Sequence, residues 1–372
     1  MIEMKLIEAF AFSAPVVCAL ICMVMMLMDA HASFHNLLEK RLRVFLALAY
    51  LVSALGWLGM VFFVISPPVF ASYYTVFLLA LMFDQIMIYR FVSIIANTGE
   101  RRKFNRLHLV IPILIGVISV VNDIRIPVGQ QVELIYRDTG SGTWFRLVYV
   151  ATTVLFIVYN SLYPVLNLRK IYYYKQIIVN YSSDAYSTSL DWLTFIQILI
   201  LITVPLPLAG LLMGIPTAVI SYLVLLGALS YFINYLILCY NLLNHHYLII
   251  QPDAAEPDMP SAATTVDRKQ FERYLHDKKP YLNPKLRITD LAAGLNTNRS
   301  YISGFINKEY DMNFCSLINR CRLEELDRQR LQPANATKTN MDLVLMAGFS
   351  SYRSYLRAKE EQNKQTLLKM FE

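Results

Sequence analysis

Apolar residues crowd the first two thirds of the chain in long runs, then thin to helical spacing beyond residue 266. A helix needs about 20 mostly apolar residues to cross a bilayer. Runs of that kind lie near 8–28, 43–65, 70–94, 107–123, 144–168, 190–213 and 217–240, which predicts seven transmembrane helices. The first run is too long for a cleaved secretion signal, follows Glu8 and is not closed by a small-x-small site, so it is expected to remain as a span. Pro205 and Pro207 remove two amide donors from the sixth run and predict a kink or break in it.

Residues 251–266, QPDAAEPDMPSAATTV, carry three prolines and no aromatic ring. So little apolar surface predicts a flexible tether, with an average span on the order of 20 Å. Beyond it, ITDLAAGLNTNRSYISGFINK (288–308) predicts two short helices. Thr289 is placed to cap the first, which turns Leu291 and Ala292 inward and ends at Gly294. Asn296 or Thr297 caps the second, whose buried face is Tyr301, Ile302, Phe305 and Ile306. Two helices joined by a tight glycine-containing turn make a helix-turn-helix unit. The second helix exposes Asn298, Arg299, Ser303, Gly304, Asn307 and Lys308. Such amides, hydroxyls and cations either read base edges and grip phosphates or form an ordinary solvated face. The plan recurs in MDLVLMAGFSSYRSYLRAKEE (341–361), with Gly348 and Phe349 at the turn and Arg353 and Arg357 exposed. Between the copies, FCSLINRCRLEELDRQRL (314–331) has the periodicity of a helix that holds them at a fixed separation.

Composition sharpens this division. Only 16% of the residues are charged, against about 25% in globular proteins, and the mean hydropathy is +0.42. Residues 267–372 hold 19 Lys+Arg against 13 Asp+Glu, so nearly all of the +7 net charge lies in the tail. Basic residues in short loops orient a membrane protein. With the N-terminus outside, the cytoplasmic loops hold Lys40, Arg41, Arg43, Arg101, Arg102, Lys103, Arg106, Arg169, Lys170 and Lys175. The outer segments then hold only Lys5, Arg125 and Arg137. Seven spans with that orientation put the basic tail in the cytoplasm.

A family pattern emerges from Pro280, Tyr281, Leu282, Ile288, Leu291, Ala292, the run Asn298–Ser303, Phe314, Ile318, Asn319, Arg322, Leu323 and the run Gly348–Ser351. On these residues the tail, over about 267–360, resembles the DNA-binding domain of the AraC family. The Asn-Arg-Ser-Tyr-Ile-Ser run with Ile306 and Asn307 is similar to the variant common in Bacteroidetes-type bacteria. The resemblance implies two helix-turn-helix units joined by a linker helix, with helices 297–308 and 351–361 entering adjacent major grooves of double-stranded DNA. Contacts would come from Thr297, Asn298, Arg299, Ser300, Ser303, Asn307 and Lys308 in the first unit and Ser351, Tyr352, Arg353 and Arg357 in the second. The chain departs from the pattern at Asp311, where the family has glycine, at Val344, where it has alanine, and at Lys359, where it has an aromatic residue. The family's closing Gly-x-x-Pro is absent. The expected fold is all-α: a seven-helix transmembrane bundle over 1–250, a linker over 251–266 and a cytoplasmic AraC-like double helix-turn-helix domain over 267–372.

Polar residues at bilayer depth are costly and are functional candidates. Asp84 is the ionisable one nearest the middle of a span, with Gln85, Asn160, Gln197 and Asn234 also at depth. They line a ligand-sensing pocket or join helices through hydrogen bonds. His31 and His35, one turn apart, have metal-ligand spacing but no secure third ligand, so no metal site is expected. The five cysteines show no zinc or disulfide spacing and read as buried thiols. There is no phosphate loop, Gly-x-Ser-x-Gly, His-Glu-x-x-His or kinase motif set, so neither catalysis nor a cofactor is expected.

Two functions fit. One is a membrane-tethered, one-component transcription regulator of the bacterial inner membrane. It would sense a small-molecule or periplasmic signal through its spans and bind DNA, as a homodimer, with its tail. The other is a membrane receptor or transporter whose tail docks a cytoplasmic protein and has lost DNA binding.

Overall fold

The computed structural model describes residues 2–32, 37–96, 105–137, 143–213, 217–250 and 266–371. The expected tether, up to residue 265, lies outside the described residues, as do Arg101, Arg102, Lys103 and His35. The described residues form helices and no strand. In chain order these are α1 (Ile2–Ala32), α2 (Leu37–Ile65), α3 (Pro67–Ile95), α4 (Leu107–Arg125), α5 (Val128–Arg137), α6 (Thr143–Ile178), α7 (Asp191–Thr203), α8 (Pro205–Leu212) and α9 (Thr217–Leu243). The tail adds α10 (Arg268–Lys278), α11 (Ile288–Gly294), α12 (Arg299–Tyr310), α13 (Phe314–Arg330), α14 (Asn340–Met346) and α15 (Tyr352–Phe371). Among the described residues, six helices are long and apolar enough to cross a membrane: α1, α2, α3, α4, α6 and α9. That is the make-up of a multi-pass membrane protein.

The apolar run at 190–213 is not one helix. It breaks at Val204 into α7 and α8, because Pro205 and Pro207 donate no amide hydrogen. Pro205 opens α8, where a missing donor costs nothing. The short α5 was not legible as an element. Its sequence, VGQQVELIYR, mixes polar and apolar residues over less than three turns.

The chain divides into two compact units. The first takes Met1–Ile95, Glu100–Ile171 and Asp191–His246; the second takes Ala96–Gly99, Tyr172–Leu190 and Tyr247–Glu372. In the first unit, α2 packs on α1 and α3, and α9 packs on α1, α7 and α8. Gly56 and Gly59 let α2 close on α3: a Cβ on Gly56 would lie 2.7 Å from Leu81 Cδ2, and one on Gly59 2.9 Å from Phe77 Cβ. Small residues at helix interfaces serve this purpose within bilayers. Arg43, counted above among the loop charges, is instead fully buried. Its Nε pairs with Asp29 at 2.6 Å and its Nη2 donates to the Leu242 carbonyl at 2.8 Å, which ties α1, α2 and α9 together. All five cysteines are free thiols, and all but Cys321 are buried.

In the second unit, α13 is the hub: α12, α14 and α15 all pack on it. Phe314, Leu317 and Ile318 of α13 are buried, as are Ile288, Leu291, Ala292, Ile302 and Ile306 of the helix pair α11–α12. Beyond α13, Leu323 and Leu326 form one cluster with Leu343, Val344, Ala347, Phe349, Tyr355 and Ala358. Val344, the departure from alanine, sits in that cluster fully buried, whereas Lys359 is exposed.

Candidate functional site

Local chemistry sets each helix pair. In the first, α11 starts at Ile288, one residue before the expected cap Thr289, and Asp290 closes the start by accepting from the Arg287 amide at 2.9 Å. The helix ends at Gly294, and Asn296 takes the left-handed turn position at φ 51°. The cap of α12 is neither Asn296 nor Thr297 but Asn298, whose Oδ1 accepts from the Tyr301 amide at 2.7 Å. At its far end, Asp311 is left-handed at φ 50°, the conformation for which glycine is suited.

The second pair has the same grammar. Thr339 caps α14, with Asp342 reciprocating to the Thr339 amide at 3.2 Å. Gly348, at φ +93°, makes the turn into α15, where Ser351 Oγ accepts from the Ser354 amide at 3.1 Å.

At the centre of the unit lies Arg322, 1% exposed. Its Nε donates to the Tyr281 carbonyl at 2.8 Å, and its Nη2 donates to the Asn283 carbonyl at 2.8 Å and to Ser183 Oγ at 2.9 Å. Its Nη1 donates to the Ser183 carbonyl at 3.0 Å and to Asn319 Oδ1 at 3.2 Å. Burial pushes its pKa down to about 10, so it stays charged at neutral pH, held by neutral acceptors. Nearby, Glu325 accepts from Lys279 Nζ at 3.2 Å and lies 3.0 Å from Arg328 Nη2. Burial works to raise the pKa of Glu325, but these two cations hold it below the ordinary carboxylate range.

Ser183 belongs to the connection between α6 and α7. This segment, which sequence reasoning missed, is built into the tail's own unit. The Ser183 amide donates to the Leu286 carbonyl at 3.0 Å, and the Ile288 amide donates to the Tyr181 carbonyl at 3.1 Å. These two bonds flank an antiparallel bridge between Ser182 and Arg287. The Cys315 amide, at the start of α13, donates to the Val179 carbonyl at 2.9 Å. Most of these acceptors are backbone carbonyls, which leave no side-chain signature. The sequence signal was therefore slight: a Ser- and Tyr-rich stretch, NYSSDAYSTS (180–189), longer than a tight turn needs.

The residues expected to touch DNA fall into three groups. Ser300, Asn307 and Lys308 on α12, and Tyr352 and Arg353 on α15, are exposed. Asn298 and Ser351 are helix caps, Thr297 is buried and Ser303 is half-buried. Arg299 and Arg357 are each engaged by the 179–190 segment. The Arg299 guanidinium lies 5.1 Å from the centre of the Tyr181 ring, and that of Arg357 lies 5.8 Å from the centre of the Tyr186 ring. Arg357 Nη1 also donates to the Tyr186 carbonyl at 3.4 Å.

In the first unit, the five polar residues at depth do not form one site. Asp84 and Asn234 line one cavity of about 30 Å³, with Tyr50, Tyr231 and Tyr235 among its walls. Gln85 joins them through the Tyr231 hydroxyl, to which its Nε2 donates at 3.1 Å. Gln197 is elsewhere: its Oε1 accepts from Asn167 at 2.9 Å, a partner the hydropathy pattern did not single out. Asn160 bonds the Phe156 carbonyl of its own helix at 3.0 Å. Asn234 is 3% exposed, and neither its Nδ2 nor its Oδ1 has a hydrogen-bond partner. Among the described residues, no cluster of His, Cys, Asp and Glu has the make-up of a metal site.

No family model, curated protein or solved structure matches the chain.

Proposed function

We propose that this chain is a membrane-tethered, one-component transcription regulator, with its N-terminus outside, a sensing bundle of membrane helices and a cytoplasmic DNA-binding tail. The observation that carries the reading is the tail's repeated plan. Two capped helix pairs, α11–α12 and α14–α15, flank one helix, α13, in a chain that also carries six apolar helices of membrane-crossing length. A pair of such units on one rod is the arrangement that the AraC resemblance implies for adjacent major grooves, which recur about every 34 Å along DNA. The exposed Asn307, Lys308 and Arg353 bring an amide and two cations, the chemistry of base edges and phosphates. The resemblance of the tail to the AraC family supports the same reading. The signal enters through the membrane helices, and Asp84 and Asn234, which line a cavity of water size, are the candidate polar groups that register it. Two copies of the chain then present two tails to paired half-sites.

The test uses the full chain in lipid nanodiscs and selection from a random duplex DNA library. An enriched motif, lost when Asn307 and Lys308 are both changed to Ala, supports DNA reading. Recovery of unselected sequence, together with expression of neighbouring genes that ignores both substitutions, favours a tail that docks a protein instead.

A further inference from the structure

We propose that the segment 179–190, which connects α6 to α7, is a built-in competitor for the DNA-facing surface and holds Arg299 and Arg357 until a signal displaces it. The proposal rests on the DNA-binding reading of α12 and α15 and names how that surface is regulated.

Geometry carries it. The segment supplies one aromatic ring to each helix pair: Tyr181 against Arg299 at the start of α12, and Tyr186 against Arg357 within α15. A guanidinium held against a tyrosine ring is fixed in place, and one that also donates to a backbone carbonyl has a donor already engaged, so both contacts compete with its forking onto a phosphate or a guanine edge. The engaged residues are arginines on the two helices expected to read DNA, one in each. The segment also carries Asp184, a negative charge of the same sign as a phosphate.

The docking is specific rather than a chance contact. Four backbone or side-chain bonds fix its register: Ser183 to Leu286, Ile288 to Tyr181, Cys315 to Val179, and Arg322 to Ser183. Release is nonetheless physically accessible. Without Ser183, Arg322 keeps the Tyr281 and Asn283 carbonyls and Asn319 Oδ1, so its charge is not left bare. The two ends of the segment continue directly into α6 and α7, apolar helices of the sensing half. A rearrangement of those helices reaches the segment through the backbone itself, with no need for a second messenger. Because the apparent dissociation constant rises as the competent fraction falls, a docked segment weakens DNA binding by the inverse of the undocked fraction.

The test compares three forms of the full chain in nanodiscs, binding a fluorescent duplex from the region upstream of its own gene. They are the unaltered chain, Tyr181→Ala with Tyr186→Ala, and Ser182→Cys with Arg287→Cys. Ser182 and Arg287 are a non-hydrogen-bonded antiparallel pair, whose Cα atoms lie about 4.5 Å apart in such pairs, within disulfide reach. Two cation–π contacts removed together should tighten binding on the order of tenfold. Oxidation of the cysteine pair locks the segment down and should weaken binding by a similar factor, restored by reductant, while oxidation leaves the unaltered chain unchanged. If the tyrosine variant fails to fold, the cysteine pair decides alone. Equal binding by the oxidised and reduced pair overturns the competitor and leaves DNA binding standing. Absence of DNA binding in every form, reduced cysteine pair included, overturns the DNA-binding reading and the competitor with it.

Discussion

Arg322 of α13 donates from Nη2 to Ser183 Oγ at 2.9 Å and from Nη1 to the Ser183 carbonyl at 3.0 Å, across 139 residues of sequence. One side chain thus fastens a connection between two apolar helices to the hub of the tail. Hydrogen bonds to a charged group are worth about 1.5–3 kcal/mol each. Ser183→Ala removes one acceptor and spares the carbonyl. It should speed hydrogen exchange at the Ser183 and Ile288 amides while leaving amides in the middle of α13 protected. Arg322→Lys should be worse and global, because an ammonium has three donors and no planar fork. Protection of α13 unchanged by Arg322→Lys would show that Arg322 does not hold the unit.

Two left-handed positions should respond in opposite directions to the loss or gain of a Cβ. At Gly348 a Cβ would press on the Tyr281 carbonyl oxygen and lie 2.7 Å from Leu282 Cα, at a φ of +93°. Gly348→Ala should therefore cost at least about 1–3 kcal/mol from the backbone alone, read as earlier melting of α14 and α15. Asp311 already has a Cβ at φ 50°. Asp311→Gly should stabilise the tail by up to about 1 kcal/mol. A destabilised Asp311→Gly would mean that the aspartate side chain does more there than tolerate the turn.

Much of this was legible in the sequence, and the reasons for the misses are physical. Five of the seven apolar runs expected became single membrane-length helices within one turn or two of their expected starts and ends, because a run of about 20 apolar residues admits few alternatives. The run at 144–168 also became one helix but continued to Ile178, since nothing in RKIYYYKQ breaks a helix. The prolines foretold the interruption at Val204. Caps were off by a residue or two: at α12, Asn296, Thr297 and Asn298 crowd the start and any of them can accept an amide, whereas the cap position of α11 is Arg287, a residue type that does not signal a cap. Arg43 read as a loop charge because its partner, Asp29, lies on another helix. For the candidate interface, the helices at Arg299–Tyr310 and Tyr352–Phe371 were anticipated as elements. What engages Arg299 and Arg357 was not, since tertiary contacts from 118 and 171 residues upstream leave no periodicity to read.

The Lys279–Glu325–Arg328 cluster gives the tail a defined acid sensitivity. Glu325 is 5% exposed, and its pKa is held below the ordinary value by Lys279 and Arg328 against the opposing effect of burial. A lowered folded-state pKa contributes stability above the unfolded value, about 4.3. That contribution is lost as pH falls through the folded value. Stability of α13 and α14, followed by hydrogen exchange or denaturant midpoint, should fall between about pH 5 and pH 3. Glu325→Gln should be less stable at pH 7 and should flatten that decline. An unaltered pH profile in the variant would assign the acid sensitivity to other carboxylates.

Asn234 offers the sharpest test of whether the membrane half holds a site or only a scaffold. Its amide is 3% exposed with no partner for donor or acceptor, beside Asp84 at 4%. Each unsatisfied buried group costs about 1–3 kcal/mol, so a chain under pressure only for stability would place an apolar residue here. The adjoining cavity of about 30 Å³ is large enough for a water, which needs roughly 10–15 Å³, and too small for an empty space of any consequence. Asn234→Leu puts an apolar side chain of the same branching and heavy-atom count, with bulkier methyl ends, against that space and removes both orphaned groups. The unfolding midpoint of the full chain in detergent should hold or rise, and, with the chain acting as the proposed regulator, the transcriptional response should become locked in one state. A loss of about 2 kcal/mol or more in stability would mean that the amide has a structural partner, as a pure interhelical hydrogen bond would. Unchanged stability with an unchanged response would place signal entry elsewhere, and Asp84→Asn, which removes the charge but keeps the shape, would be expected to be silent as well.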